Sequence, residues 1–153
     1  MDELQNALKS LPHGPEFRFV DRLISLVPGK QGLAEYRVRG DEFYLRGHLP
    51  DEPILPGVLL IEAGAQLAGV IAQNDPRWPP LKGLKLTALR AVKILGTACP
   101  GQTVRLEAWV MGRLGALVQA HATASVNGKA IMSAELTLSG ALPEGTTVPP
   151  DED

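Results

Sequence analysis

One run of this sequence, from Gly57 to about Gln73, is apolar or small on nearly every side. Its length favours a helix, and a helix with no polar face must be buried all round. That requirement limits the fold more than any other feature, because the rest of the chain has to surround it. Ala63, Gly64, Ala65, Ala68 and Gly69 carry little side-chain bulk, so neighbouring backbone can come close.

The surrounding chain reads as strands. In residues 103–111, Val104, Leu106, Ala108 and Val110 share one face, with Arg105 and Glu107 on the other. In residues 117–126, Val118, Ala120, Ala122, Ala124 and Val126 oppose Gln119, His121, Thr123 and Ser125. Residues 130–139 repeat the pattern with Met132, Ala134, Leu136 and Leu138 inward, and residues 17–27 and 32–40 flank a Pro28-Gly29 turn. Alternation with a period of two marks antiparallel strands with one solvated face. Asn127-Gly128 is a strong two-residue hairpin signal, and 99–103 and 112–115 supply further turns. A short helix over residues 2–9 precedes the first strand.

The expected fold is α+β: an antiparallel sheet of five to seven strands wrapped around one long central helix. A chain of 153 residues is the size of one domain with one core. Residues 1–142 are expected to form that domain. The acidic, proline-rich segment 143–153 is expected to be a disordered tail.

Charge and composition exclude several functions. A net charge of −2 gives no bulk attraction to nucleic acid. The apolar run Val58 to Ala72 is too short for a bilayer and is interrupted by Glu62 and Gln66. The N-terminal residues do not form a signal peptide. Cys99 is the single cysteine, which rules out an internal disulfide and a thiolate zinc cluster and fits a reducing cytoplasm. Paired histidines and a glycine-rich phosphate loop are both missing, so no metal or cofactor is expected.

Within the apolar run stands one carboxylate, Glu62, with Gln66 one helical turn later. An isolated helical glutamate is as often an ordinary surface charge, but the apolar setting and the glutamine partner favour function. Pro50, Pro53 and Pro56 stiffen the approach to the helix. Pro56-Gly57 then opens it, where unpaired N–H groups and the positive end of the helix dipole can receive negative charge. His48 lies just upstream. A base, a carboxylate and a set of N–H donors are what proton abstraction beside a carbonyl requires. The remaining candidates are weaker. His13 reads as a loop residue, His121 as solvated on a strand's polar face, and Cys99 as lacking a base. Trp78 is a loop aromatic that either covers a pocket mouth or simply packs.

The stretch GHLPDEPILPGVLLIEAGAQLAG, residues 47–69, resembles the signature of the FabZ-type 3-hydroxyacyl-[acyl carrier protein] dehydratases. Their pattern runs from Gly-His through spaced prolines to Pro-Gly and a helix with Glu-Ala-X-Ala-Gln. LPHGPEFRFVDRLISLVPGK and CPGQTVRLEAWV are similar to other segments of that family. Leu49 stands where the family usually has Phe, Gln102 where it has Asp, and the basic pair usual after Lys93 is missing. A specialised or secondary-pathway dehydratase is therefore as compatible as a housekeeping one.

The resemblance implies a hot-dog fold and a homodimer with shared active sites, in some relatives a hexamer. It implies His48 and Glu62 as catalytic residues, His48 of one subunit facing Glu62 of the other. His48 would take the α-proton, and Glu62 would hold or protonate the departing hydroxyl. Gly57 would polarise the thioester carbonyl through its N–H, Gln66 would orient Glu62, and Pro56 and Val58 would complete the substrate-binding set. The substrate would be carried on the 4'-phosphopantetheine of acyl carrier protein, or as a coenzyme A thioester. Two alternatives stay open: a hot-dog acyl thioesterase, and a non-catalytic hot-dog subunit of a dehydratase complex.

Overall fold

The computed structural model describes residues 2–46, 48–49 and 51–149. Gly47 and Pro50 of the lead-in motif, and Pro150–Asp153 of the predicted tail, lie outside the described residues. The first helix is split between a short α1 (Glu3–Asn6), capped by the Asp2 carboxylate, and a 3-10 turn over Ala7–Ser10. The chain then forms β1 (Arg22–Val27), β2 (Gln31–Arg37), α2 (Phe43–Arg46) and the long α3 (Gly57–Gln73). Four strands follow: β3 (Lys82–Ile94), β4 (Thr103–Leu114), β5 (Leu117–Val126) and β6 (Lys129–Ala141).

All six strands pair antiparallel in the order β1-β2-β4-β5-β6-β3. The chain therefore leaves β2, runs through α3 and returns at the far edge before filling the middle of the sheet. The sheet curls around α3, which packs against β2, β4, β5 and β6. The predicted inward faces are buried: Val104, Leu106 and Ala108 on β4, Ala120, Ala122 and Ala124 on β5, and Met132, Ala134, Leu136 and Leu138 on β6. Asn127 and Gly128 both adopt positive φ, as a two-residue hairpin with right-handed strand twist requires.

Small residues set the spacing between helix and sheet. A Cβ built on Gly64 would lie 2.7 Å from the Ala122 Cβ, closer than two carbons can approach. The glycine is what lets α3 rest on β5.

Three expectations needed adjustment. The first strand begins at Arg22, because Pro15–Phe17 makes a 3-10 turn and Phe19 and Val20 turn into the core. Helix α2 forms over Phe43–Arg46 where none was foreseen. Strand β3 was also unforeseen. It is exposed along most of its length, so its sequence lacks the alternation of a half-buried strand.

Candidate active site

Glu62 and Gln66 project from the same face of α3 into a cavity of about 590 Å³. The cavity continues along the helix past Ala65 and Gly69, with Leu84, Leu86 and Leu138 of the sheet opposite. Its wall is mostly apolar, and Glu62 is the carboxylate on it. The Glu62 side chain is 24% exposed, so it reaches the cavity without being sealed in the core.

Gln66 is buried and held from three sides. Its Oε1 accepts from the Phe19 backbone N–H at 2.8 Å, and its Nε2 donates to the Phe17 carbonyl at 2.8 Å. A backbone N–H only donates and a carbonyl oxygen only accepts, so these two bonds fix which way the amide faces. The Nε2 group then also donates to Glu62 Oε1 at 3.2 Å. The residue expected to orient Glu62 does contact it, and the 17–19 loop in turn orients that residue.

The same loop brings in His13. Its Nε2 lies 3.3 Å from Glu62 Oε1, and its ring stacks on Phe17 with centroids 6.3 Å apart. Arg18 Nε donates to the His13 carbonyl at 2.9 Å, closing the loop on itself. Sequence reasoning left His13 as a loop residue, which it is, but missed its contact with Glu62. The available signal was its place within LPHGPEFRFVDR, one of the segments that resembled the family.

His48 lies elsewhere. It is exposed, in a turn after α2, and its Nδ1 lies 3.3 Å from the Ile54 carbonyl. The carbonyl can only accept, so Nδ1 is the donor in this bond. The Leu55 N–H bonds the Ala98 carbonyl at 2.8 Å and ties the lead-in to the turn before β4. His48 does not line the cavity that holds Glu62. The resemblance sets His48 against the other subunit's glutamate, an arrangement that one chain by itself does not display.

Pro56 occupies the N-cap of α3, and Gly57 begins the helix with Ile94 close against it. The first N–H groups of α3 have no intrahelical acceptor. Val58 is 70% exposed and does not line the cavity that holds Glu62. His121 is not simply solvated: it stacks on Trp109 at 4.6 Å and meets Ser133 Oγ at 3.1 Å. Trp78 packs beneath the Arg113 guanidinium, 4.4 Å from its ring centre, beside a separate cavity of about 400 Å³. Among the described residues, no group of three or more His, Cys, Asp or Glu is arranged to hold a metal ion, and no helix is long and apolar enough to cross a membrane.

Comparison with known proteins gives the family of the chain. Residues 11–135 match the FabA-like domain family. The 3-hydroxyacyl-[acyl-carrier-protein] dehydratase FabZ of Thermoanaerobacter pseudethanolicus is 34% identical over 134 residues, spanning 88% of this chain and 94% of that protein. This chain belongs to the FabZ-type dehydratase family. The FabZ of Myxococcus xanthus is 32% identical over 136 residues, spanning 87% of this chain and 88% of its own.

Solved structures support the fold alone. The dehydratase heterocomplex ApeI:P of Xenorhabdus doucetiae contains a chain with a TM-score of 0.73 and 18% identity, covering 91% of both chains. Zebra fish thioesterase superfamily member 2 has a TM-score of 0.67 at 16% identity, covering 90% of this chain and 95% of that one. The fold is the hot-dog fold, and this chain sets Glu62 and Gln66 on the wall of a mostly apolar cavity.

Proposed function

We propose that this protein is a hydro-lyase that converts a 3-hydroxyacyl thioester to the trans-2-enoyl thioester during acyl-chain biosynthesis. The observation that carries the reading is Glu62, held by Gln66 on the wall of a cavity otherwise suited to an alkyl chain. In the proposed reaction, His48 Nε2 takes the proton from C2, and the C2–H electrons form the C2–C3 double bond. Glu62 supplies its carboxyl proton to the C3 hydroxyl, which departs as water. Return of the proton from His48 to Glu62, through the departing water, restores the site. The N–H groups at the start of α3, Gly57 foremost, stabilise the charge that builds on the thioester oxygen.

This chemistry needs His48 and Glu62 together, which supports a homodimer with two shared sites; a hexamer would be three such dimers. Strand β3 supports the dimer too, since it is an edge strand with exposed Leu89, Val92 and Ile94. The acyl donor is acyl carrier protein, in keeping with the relatives' names, with coenzyme A thioesters as simpler substitutes. The reaction is assigned to residues 1–142, and to the cytoplasm.

Absorbance of the enoyl thioester tests the reading. Wild-type protein should interconvert short 3-hydroxyacyl and enoyl thioesters, and His48→Ala and Glu62→Gln should each lose about a hundredfold or more. Full activity in both variants would overturn the site. Release of free thiol in place of enoyl product would identify the thioesterase alternative. An inactive wild type that gains activity with a second, related chain would identify the non-catalytic subunit.

A further inference from the structure

Two nitrogens lie beside the same oxygen of Glu62, one of them a hydrogen-bond donor. Gln66 Nε2 lies 3.2 Å and His13 Nε2 3.3 Å from Oε1. Among the described residues no donor meets Oε2. His13 itself has one nitrogen at this contact and one in the interior: its Nδ1 is buried without a partner among the described residues. A proton on Nδ1 would be stripped of water and given no acceptor, so in the neutral ring the proton belongs on Nε2, the nitrogen beside Glu62.

From this geometry we propose that His13 is a positioning residue that makes the two Glu62 oxygens unequal. With Oε1 accepting from Gln66 and His13, the carboxyl's own proton resides on Oε2. Oε2 is then the atom that exchanges a proton with the substrate hydroxyl. Without His13, one donor alone holds Oε1, the carboxyl rotates more freely, and the acid proton is presented to the substrate less often. His13 does not meet the reacting atoms; it acts through Glu62. The loop that carries it is anchored to Gln66 at Phe17 and Phe19, which ties the placement of His13 to that of Gln66.

The inference rests on the dehydratase reading, and two measurements keep their failures apart. In the enoyl thioester assay, His13→Ala should lower kcat by on the order of tenfold to a hundredfold with KM within about twofold. His13→Gln, whose amide N–H can reach where Nε2 stood, should recover most of the loss. An unchanged kcat in His13→Ala would overturn the proposal. So would His13→Gln as slow as His13→Ala at the same melting temperature, since the ring would then serve only to pack on Phe17.

The second measurement does not depend on turnover. The imidazole ¹⁵N shifts of His13 should report the Nε2–H tautomer, and Glu62→Ala, which leaves Nδ1 buried, should keep that tautomer while moving the Nε2–H proton shift as its acceptor is lost. A tautomer mixture in wild type, or shifts indifferent to Glu62→Ala, would overturn the pairing. A wild type inert towards every thioester, with the Nε2–H tautomer present and its proton shift moved by Glu62→Ala, would overturn the dehydratase reading and uphold the pairing.

Discussion

Glu42 illustrates how a single buried carboxylate is kept ionised away from the cavity. Its side chain is 3% exposed, yet it accepts from the N–H groups of Arg39 at 2.8 Å and Gly40 at 2.7 Å, and from the Tyr36 hydroxyl at 3.0 Å. Burial alone would raise its pKa, but the backbone donors and the Tyr36 hydroxyl outweigh burial and hold the carboxyl below its ordinary range. The Tyr36 hydroxyl, buried and bonded to Tyr44, is pushed well above its ordinary value. A carboxyl depressed in the folded state adds stability that is complete above its unfolded value, about 4.3 for glutamate, and is lost as pH falls through the folded value. Asp75 behaves likewise, burial being outweighed there by the Arg77 hydrogen bonds. The melting temperature should therefore hold near neutrality and drop below about pH 4. Glu42→Gln should cost about 1–3 kcal/mol in urea unfolding at pH 7, and less of its stability should then depend on acid.

Elements are held together here by what their side chains lack. Replacing a helix-interior glycine by alanine ordinarily stabilises by up to about 1 kcal/mol. At Gly64 the sign should reverse, because the new methyl would meet Ala122 at 2.7 Å and push α3 off β5. Gly64→Ala should lose about 1–3 kcal/mol in urea unfolding. Gly69→Ala, on the same helix, meets nothing nearer than Leu84 at 3.7 Å and should be neutral or stabilising. Equal effects at both positions would mean that helix propensity, and not the seat of the helix on the sheet, governs this element. Strand β3 is the counterpart: it buries little of its own surface and is held by its pairing with β6.

At the scale of the whole molecule, the separation of His48 from the Glu62 cavity is the dominant fact. If the proposed dimer joins them, light scattering should report at least twice the 16.3 kDa of the single chain. Leu89→Lys combined with Val92→Lys, which puts two charges on the exposed edge strand, should yield a monomer and abolish turnover together. A monomer that retained full activity would show that one chain completes the site alone. A dimer that survived the double change would move the interface away from β3.

The sequence by itself determined α3, its wrapping by antiparallel strands, the inward faces of β4, β5 and β6, and the Glu62–Gln66 pair. These are local matters: a period of two, a period of 3.6 and a one-turn spacing are written in neighbouring residues. Only the tertiary structure decided the rest. Strand β3 lacked a buried face to betray it, since its position at the sheet edge depends on β6, far along the chain. His13 lies 49 residues from Glu62 in sequence, and nothing local foretells that its loop folds back over α3. Long-range contacts of this kind arise from the closure of the whole core, in which Phe19 and Val20 are buried and the Phe19 N–H bonds Gln66, carrying the loop with them.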